Sequence, residues 1–366
     1  MAYELRLYNN FHDPNINLLL SALASGRWTK FWLVKTMLDP NQQVLADFAS
    51  ERMCLHALES LGRSYLNFEL SYLEQAVQKS WGSLTKVYDI KWTLDGNKVT
   101  VAVITGSGQG IGAETARLFA KEGAHVVVQD IDASKAEAVS KEINDSGGRA
   151  IAIPGDMLDS QHIADLVKKS AEFGHGRLHC LINCAGFTWD GVIHKMTDKQ
   201  WDTILALHNT APFKLVRAAA PYFRVKDGQP RNIINISSTS GIHGNAGQAN
   251  YGLAKAGVTG LTKVIAKEWG PQFGVRANTV AFGHISTRLT AAKEEGAFVT
   301  TPDGQKVALG IPKAQKEALG EQAYMDIPLR RAGTATEAAS VILAVASPLF
   351  SYVSGQTIMV TGGRNM

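Results

Sequence analysis

Residues 99–112 read Val-Thr-Val-Ala-Val-Ile-Thr-Gly-Ser-Gly-Gln-Gly-Ile-Gly. The apolar run Val99 to Ile104 leads into a glycine-rich turn and then the amphipathic stretch Ala113 to Glu122, which predicts a strand, a tight loop and a helix. Gly106 permits the turn, Gly110 lets the backbone approach a pyrophosphate, and Gly112 lets helix and strand pack closely. The free amides at the helix start then face phosphate oxygens. A second apolar run, His125 to Gln129, completes a βαβ unit of the kind that opens a doubly wound sheet. Asp130 ends it, eighteen residues after Gly112. A carboxylate there accepts hydrogen bonds from both ribose hydroxyls and repels a 2′-phosphate, so the expected cofactor is NAD(H). The competing reading is an exposed turn aspartate.

Much further along, Tyr251 and Lys255 stand four residues apart and Ser238 lies thirteen residues before the tyrosine. On a helix that spacing puts Tyr251 and Lys255 on one face, where the ammonium favours the phenolate of a group whose ordinary pKa is about 10. Ser238, on a loop after a strand, is positioned to hydrogen-bond a substrate oxygen. Glycine loop, serine, tyrosine and lysine in this order point to a nicotinamide-dependent oxidoreductase. Either Tyr-x-x-x-Lys or the loop alone also arises in ordinary helices and turns.

The chain has 366 residues, 45% of them hydrophobic, and a net charge of +4. That is enough for a sizeable core and too little clustered charge for nucleic acid. Cys54, Cys180 and Cys184 cannot form a disulfide framework, which suits a reducing compartment, and no apolar run reaches membrane-spanning length. Leu18 to Leu23 is too short and lacks the charged flank of a secretion signal, so the expected location is cytoplasmic, with mitochondria left open. No metal-ligand pattern is expected. Composition changes near residue 97: four of the 34 glycines but four of the seven tryptophans precede it. Apolar residues from Asn41 to Ser80 recur at roughly helical spacing, so residues 1–97 are expected to be a helical extension that packs on the catalytic domain, residues 98–366, or on a neighbouring subunit. Capping of the substrate is the alternative. Asp39-Pro40 breaks the pattern, and Leu94-Asp95-Gly96-Asn97 reads as a turn.

From about Val99 to Gly363 the chain resembles the short-chain dehydrogenase/reductase family, and within it the 3-oxoacyl-(acyl-carrier-protein) reductases and related hydroxyacyl or hydroxysteroid dehydrogenases. The resemblance rests on Thr105 to Gly112, Gly155-Asp156, Asn183-Cys184-Ala185-Gly186, Ser238, Asn245 to Tyr251, Lys255, Thr287 and Gly362-Gly363. It implies a Rossmann-type, doubly wound, seven-stranded parallel sheet, with further strands at Arg149 to Pro154, Cys180 to Asn183, Asn232 to Ile236, Val275 to Ala281 and Gln356 to Val360. It also implies cofactor contacts from Thr105, Gly106, Ser107, Gln109, Gly110, Ile111, Gly112, Asp130, Asp156, Met157, Asn183, Ala185, Gly186, Tyr251, Lys255, Gly283, Ile285 and Thr287. Asp156 would meet the adenine and Thr287 the nicotinamide carboxamide. Several of these are equally readable as strand-end residues. Gln109 is neutral where NADP-using relatives often carry arginine.

Departures from the family pattern bear on mechanism. The asparagine that anchors a relay water in relatives is replaced by His208, with Asn209 one place off, a rotation of about 100° around a helix. An imidazole can hold the same water and exchange protons near neutrality, so His208 is expected to act in the catalytic relay. Phe282-Gly283 stands for the usual Pro-Gly, followed by His284, and His243 is a second candidate substrate contact. Residues 287–327 read as a substrate lid, with a turn at Thr301-Pro302-Asp303-Gly304. Gln229 and Gln272 stand roughly where bacterial reductases dock an acidic carrier with arginines, so a free thioester, hydroxyacyl or cyclic ketone substrate is as open as a carrier-bound one. The resemblance implies a homodimer or tetramer. A catalytically weak NAD-binding regulatory protein is the reading from another class.

Overall fold

The computed structural model describes residues 33–39, 42–47, 93–94 and 98–364 except 302–303, 312 and 314–323, with side chains from Thr100 onward. The chain divides into two units, Met1–Asp89 and Ile90–Met366. In the first, β1 (Leu33–Asp39) and β2 (Gln42–Asp47) form an antiparallel hairpin. The helical spacing read from Asn41 is therefore not realised over residues 42–47. The remainder of the expected helical extension lies outside the described residues.

The second unit begins with a small antiparallel pair, β3 (Thr93–Leu94) and β4 (Lys98–Val99); residues 95–97 of the expected turn lie outside the described residues. Then strands and helices alternate: β5 (Val101–Thr105), α1 (Gly110–Lys121), β6 (His125–Gln129), α2 (Ala133–Asp145), β7 (Arg149–Ala152), α3 (Ser160–Phe173) and β8 (Cys180–Asn183). After α4 (Asp198–Leu205), a π-turn at Ala206–Thr210 and α5 (Ala211–Phe223) come β9 (Arg231–Ser238), α6 (Thr239–His243), α7 (Ala249–Phe273) and β10 (Val275–Phe282). The hairpin β11 (Phe298–Thr300) and β12 (Lys306–Ala308), α8 (Ala335–Ala346) and β13 (Thr357–Val360) complete the described elements.

Seven strands form one parallel sheet in the order β13-β10-β9-β8-β5-β6-β7. This is the expected doubly wound architecture. The central strands are apolar on both faces because helices cover both. One core layer joins Ile104, Phe119, Val128, Ile182 and Ile342; the other joins Val103, Leu166, Leu181, Leu215, Phe223 and Ile233. The order reverses between β5 and β8, which opens a crevice at the carboxyl ends of the strands, where the glycine loop, Asn183 and Ser238 all emerge.

Candidate active site

Helix α7 carries Tyr251 and Lys255 in its first two turns. Its start is held by Asn250, whose amide nitrogen donates to the carbonyls of Trp189 (3.1 Å) and Gln200 (3.0 Å). The Lys255 ammonium lies 5.5 Å from the Tyr251 ring centroid and donates to the Ile236 carbonyl at 2.7 Å. Ser237 Oγ donates to the Lys255 carbonyl at 2.6 Å, so the end of β9 is fastened to α7. Ser238, the next residue, lines the same cavity as Tyr251 and favours ionisation of its hydroxyl. The three residues read from sequence thus converge.

Electrostatics within the chain differ from the expectation of a depressed tyrosine. Burial pushes the Tyr251 hydroxyl above its ordinary value, Asp190 and Cys184 add to this, and the nearby Ser238 side chain only partly offsets it. Lys255, buried as well, is pulled down to about 8. Both groups titrate against desolvation, and in the chain alone desolvation outweighs the attraction between them. Tyr251 is therefore protonated at neutral pH.

His208 sits in the π-turn, buried, with its ring edge-on to Tyr251 at 5.2 Å between centroids. Its Nε2 lies 2.9 Å from the Phe187 carbonyl, an acceptor, which makes Nε2 the donor and leaves Nδ1 as acceptor in the neutral ring. Burial, then the positive charge of Lys255, hold the imidazole well below its ordinary pKa. The expected proton exchange near neutrality is thus disfavoured by the surroundings, while contact with the catalytic tyrosine is present. Asn209 does not take its place: its side chain donates to the Ala254 carbonyl of α7 at 2.8 Å.

A cavity of about 730 Å³ runs from Asp130 and Gly106 past Gly186 to Ser238, Tyr251 and Lys255. Of the expected cofactor residues, Gln109, Ile111, Asp156, Met157, Ala185, Gly283, Ile285 and Thr287 also line it. Thr105, Ser107 and Asn183 instead brace its floor. The Thr105 hydroxyl accepts from the amides of Cys184 and Ala185 (both 3.1 Å), Ser107 Oγ donates to the Ile104 carbonyl (2.7 Å), and Asn183 donates to Asn235 (2.8 Å). Their side chains are buried because the loop must be fastened to the sheet before it can hold anything. His243 is exposed and away from the cavity lining, whereas His284 lines it and meets Tyr324 edge-on at 5.5 Å.

The residues present fit a dinucleotide. A Cβ at Gly112 would lie 2.3 Å from the Gly106 carbonyl oxygen, so only glycine allows the helix to begin this close to the loop. Gln109 adds no side-chain cap to α1, which leaves its first amides to an anion in the crevice. The Asp130 carboxylate is fixed by the amides of Gly108 (2.9 Å) and Asp132 (3.1 Å). Among the described residues, no group of three or more His, Cys, Asp or Glu could hold a metal ion, and no helix is long and apolar enough to cross a membrane.

Sequence reasoning missed three residues of the cavity. Asp190, Gln248 and Arg288 line it, the last within electrostatic reach of Asp130 and Asp132. Only Gln248 lay inside a quoted motif, so its position was visible but its partner was not. Within residues 287–327, β11 and β12 pair, Thr301 N donates to the Gln305 carbonyl (2.9 Å), and Val307 and Leu309 pack with Phe187, Ile204 and Ala254 beside Tyr251. Residues 302–303, 312 and 314–323 of the expected lid lie outside the described residues.

A crevice that runs from a glycine loop to a serine, a tyrosine and a lysine gathered at its other end defines an oxidoreductase of the Rossmann class. Comparison with known proteins specifies it further. The chain belongs to the short-chain dehydrogenase/reductase family, since residues 100–297 match the short chain dehydrogenase family model. Residues 307–365 match a second model, described as Enoyl-(Acyl carrier protein) reductase. The chain is 36% identical over 264 residues to 3-oxoacyl-(acyl-carrier-protein) reductase FabG of Thermotoga maritima, covering 72% of this chain and 96% of that one. It is 35% identical over 265 residues to the short-chain reductase protein NovJ of Streptomyces niveus, covering 72% and 94%. Among solved structures, a dehydrogenase/reductase from Sinorhizobium meliloti aligns with a TM-score of 0.64 at 28% identity, over 77% of this chain and all of that one (100%). This protein is accordingly an oxidoreductase of the carbonyl/alcohol class.

Proposed function

We propose that the protein reduces the keto group of a 3-oxoacyl thioester, reversibly, with NAD(H) as cofactor. The observation that carries this reading is the meeting of Ser238, a Tyr251 that burial keeps protonated, and Lys255 5.5 Å from its ring, at one end of a crevice whose other end is Asp130. When bound, a nicotinamide supplies or accepts the hydride. Ser238 Oγ hydrogen-bonds the substrate oxygen and aligns the carbonyl. Tyr251 gives its proton to that oxygen as the carbon is reduced, or takes it back in the oxidation. Lys255 then faces the new phenolate, and its proximity stabilises a charge that would be costly in this buried place. A protonated tyrosine is an acid in waiting, which favours the reductive direction.

Support for the substrate class comes from the similarity to 3-oxoacyl reductases and from a hairpin cover larger than a small alcohol needs. The NAD(H) preference rests on Asp130, whose carboxylate would meet a 2′-phosphate with like charge. Gln229 and Gln272 border a depression outside the main crevice and are themselves neutral where the bacterial reductases dock an acidic carrier with arginines, although Lys226 lines the same depression. That favours a free thioester; an NAD-linked hydroxyacyl, hydroxysteroid or secondary alcohol dehydrogenase is the second reading. Reading residues 1–97 as a packing extension and the location as cytoplasmic belongs to the same proposal. So does assembly as a dimer or tetramer, for which Phe213 on α5 and Leu253 and Val264 on α7 offer exposed apolar contacts. The test is initial-rate assay of NADH and NADPH oxidation with a panel of 3-oxoacyl thioesters and cyclic ketones. Turnover of cyclic ketones without thioesters would transfer the assignment to the second reading, and light scattering gives the assembly.

A further inference from the structure

On the substrate side of Tyr251 the cavity presents a carboxylate that the reduction chemistry does not use. Asp190 is open to solvent at the mouth, yet its position is built from several directions. Its carbonyl accepts from Gln200 Nε2 at 3.2 Å, and the flanking Gly191 amide donates to the Gly247 carbonyl at 2.8 Å. The preceding Trp189 carbonyl is held by Asn250, the residue next to the catalytic tyrosine. The carboxylate oxygens both accept from Gln248 Nε2 at 3.2 Å, and Gln248 Oε1 in turn accepts from Ser240 Oγ at 2.8 Å and Asn245 Nδ2 at 3.1 Å.

This chain of neutral donors orients the carboxylate without cancelling its charge. Among the described residues no cation lies at salt-bridge distance from Asp190, and Lys293 acts on it only from further off. A fixed, solvent-accessible anion with lone pairs to spare, beside the acid that reduces the carbonyl, is a recognition element.

We infer that Asp190 selects the arm of the substrate: it accepts a hydrogen bond from an N–H or O–H donor, or meets a cation, and it turns away substrates with a carboxylate there. The inference rests on the thioester reductase reading and names the arm chemistry within that class. An amide-bearing thioester arm fits; a free acid does not.

The test uses three 3-oxobutanoyl thioesters whose sulfur arms end in an acetamide, a plain alkyl group or a carboxylate. The wild-type enzyme should favour the acetamide arm over the carboxylate arm in kcat/KM by about tenfold or more, the scale of one like-charge contact in a wet site. Asp190→Asn, which keeps the hydrogen bond from Gln248, also removes a charge that holds the Tyr251 hydroxyl up, so the readout is a ratio: the carboxylate arm should rise about tenfold relative to the alkyl arm, each measured on the pH plateau of the variant. Asp190→Glu should restore the wild-type order. If Asp190→Asn scales all three arms alike, the residue only shapes or latches the mouth and the inference is overturned while the reductase reading stands. If the wild-type enzyme reduces none of the three, the reductase reading falls and this inference with it.

Discussion

A Cβ added to Gly186 would lie 2.1 Å from Cε1 of His208, so the ring fills the space that the glycine leaves. The two residues come from different elements, the crevice edge after β8 and the π-turn before α5, and Gly186 cannot gain a side chain while the ring is in place. Both line the cavity.

Gly186→Ala should therefore cost about 1–3 kcal/mol of stability by overpacking. The double variant Gly186→Ala/His208→Ala should recover much of that loss, since the clash disappears with the ring. Denaturant midpoints for the four species of the cycle give the coupling directly.

His208→Ala removes a ring that is neutral throughout the working pH range, because burial and Lys255 keep it so. Turnover should fall several-fold through loss of the Tyr251 contact, with the limbs of the pH profile unmoved. A displaced limb would restore the proton-exchanging relay expected from sequence.

Tyr251→Phe should lower kcat by about a thousandfold, within the range of general acid catalysis, while NADH still quenches protein fluorescence on binding. Full turnover in that variant would remove the proposed mechanism.

Lys255 makes stability depend on pH. Its pKa is about 8 folded against an ordinary 10.5, so between these values the unfolded chain holds a proton that the folded chain has released. Unfolding then takes up a proton, and this group's contribution to stability rises with pH across that window. Lys255→Met should flatten the rise and, by removing a buried charge, add about 1–2 kcal/mol at pH 7 even as activity is lost. Thermal melts from pH 7 to about 10 in both proteins check the sign.

Asp130→Asn keeps an acceptor for the Gly108 amide and removes the charge. The ratio of kcat/KM for NADPH over NADH should rise by about tenfold or more, read from initial rates with each dinucleotide. An unchanged ratio would shift the cofactor assignment away from Asp130, with Arg288 the next residue to test.

How much of this was legible beforehand depends on range along the chain. Strand, glycine loop and helix from Val101 to Lys121 follow from local rules of turn geometry and helical period, and the Tyr251–Lys255 pair follows from one helical repeat. The β1–β2 hairpin went the other way. Over six residues an amphipathic helix and a strand share apolar positions, and only a partner strand decides between them.

The sequence by itself determined the candidates for the chemistry: the glycine loop, the serine, the tyrosine and the lysine, and the order in which they occur. Tertiary structure decided the environment of those groups. Tyr251 stays protonated because the fold buries it, His208 stays neutral because burial and then Lys255 disfavour its charge, and the Asp190 carboxylate is oriented at the cavity because Gln248, 58 residues away, donates to it. Desolvation and charge proximity act through space, so they exist only once distant segments have been brought together.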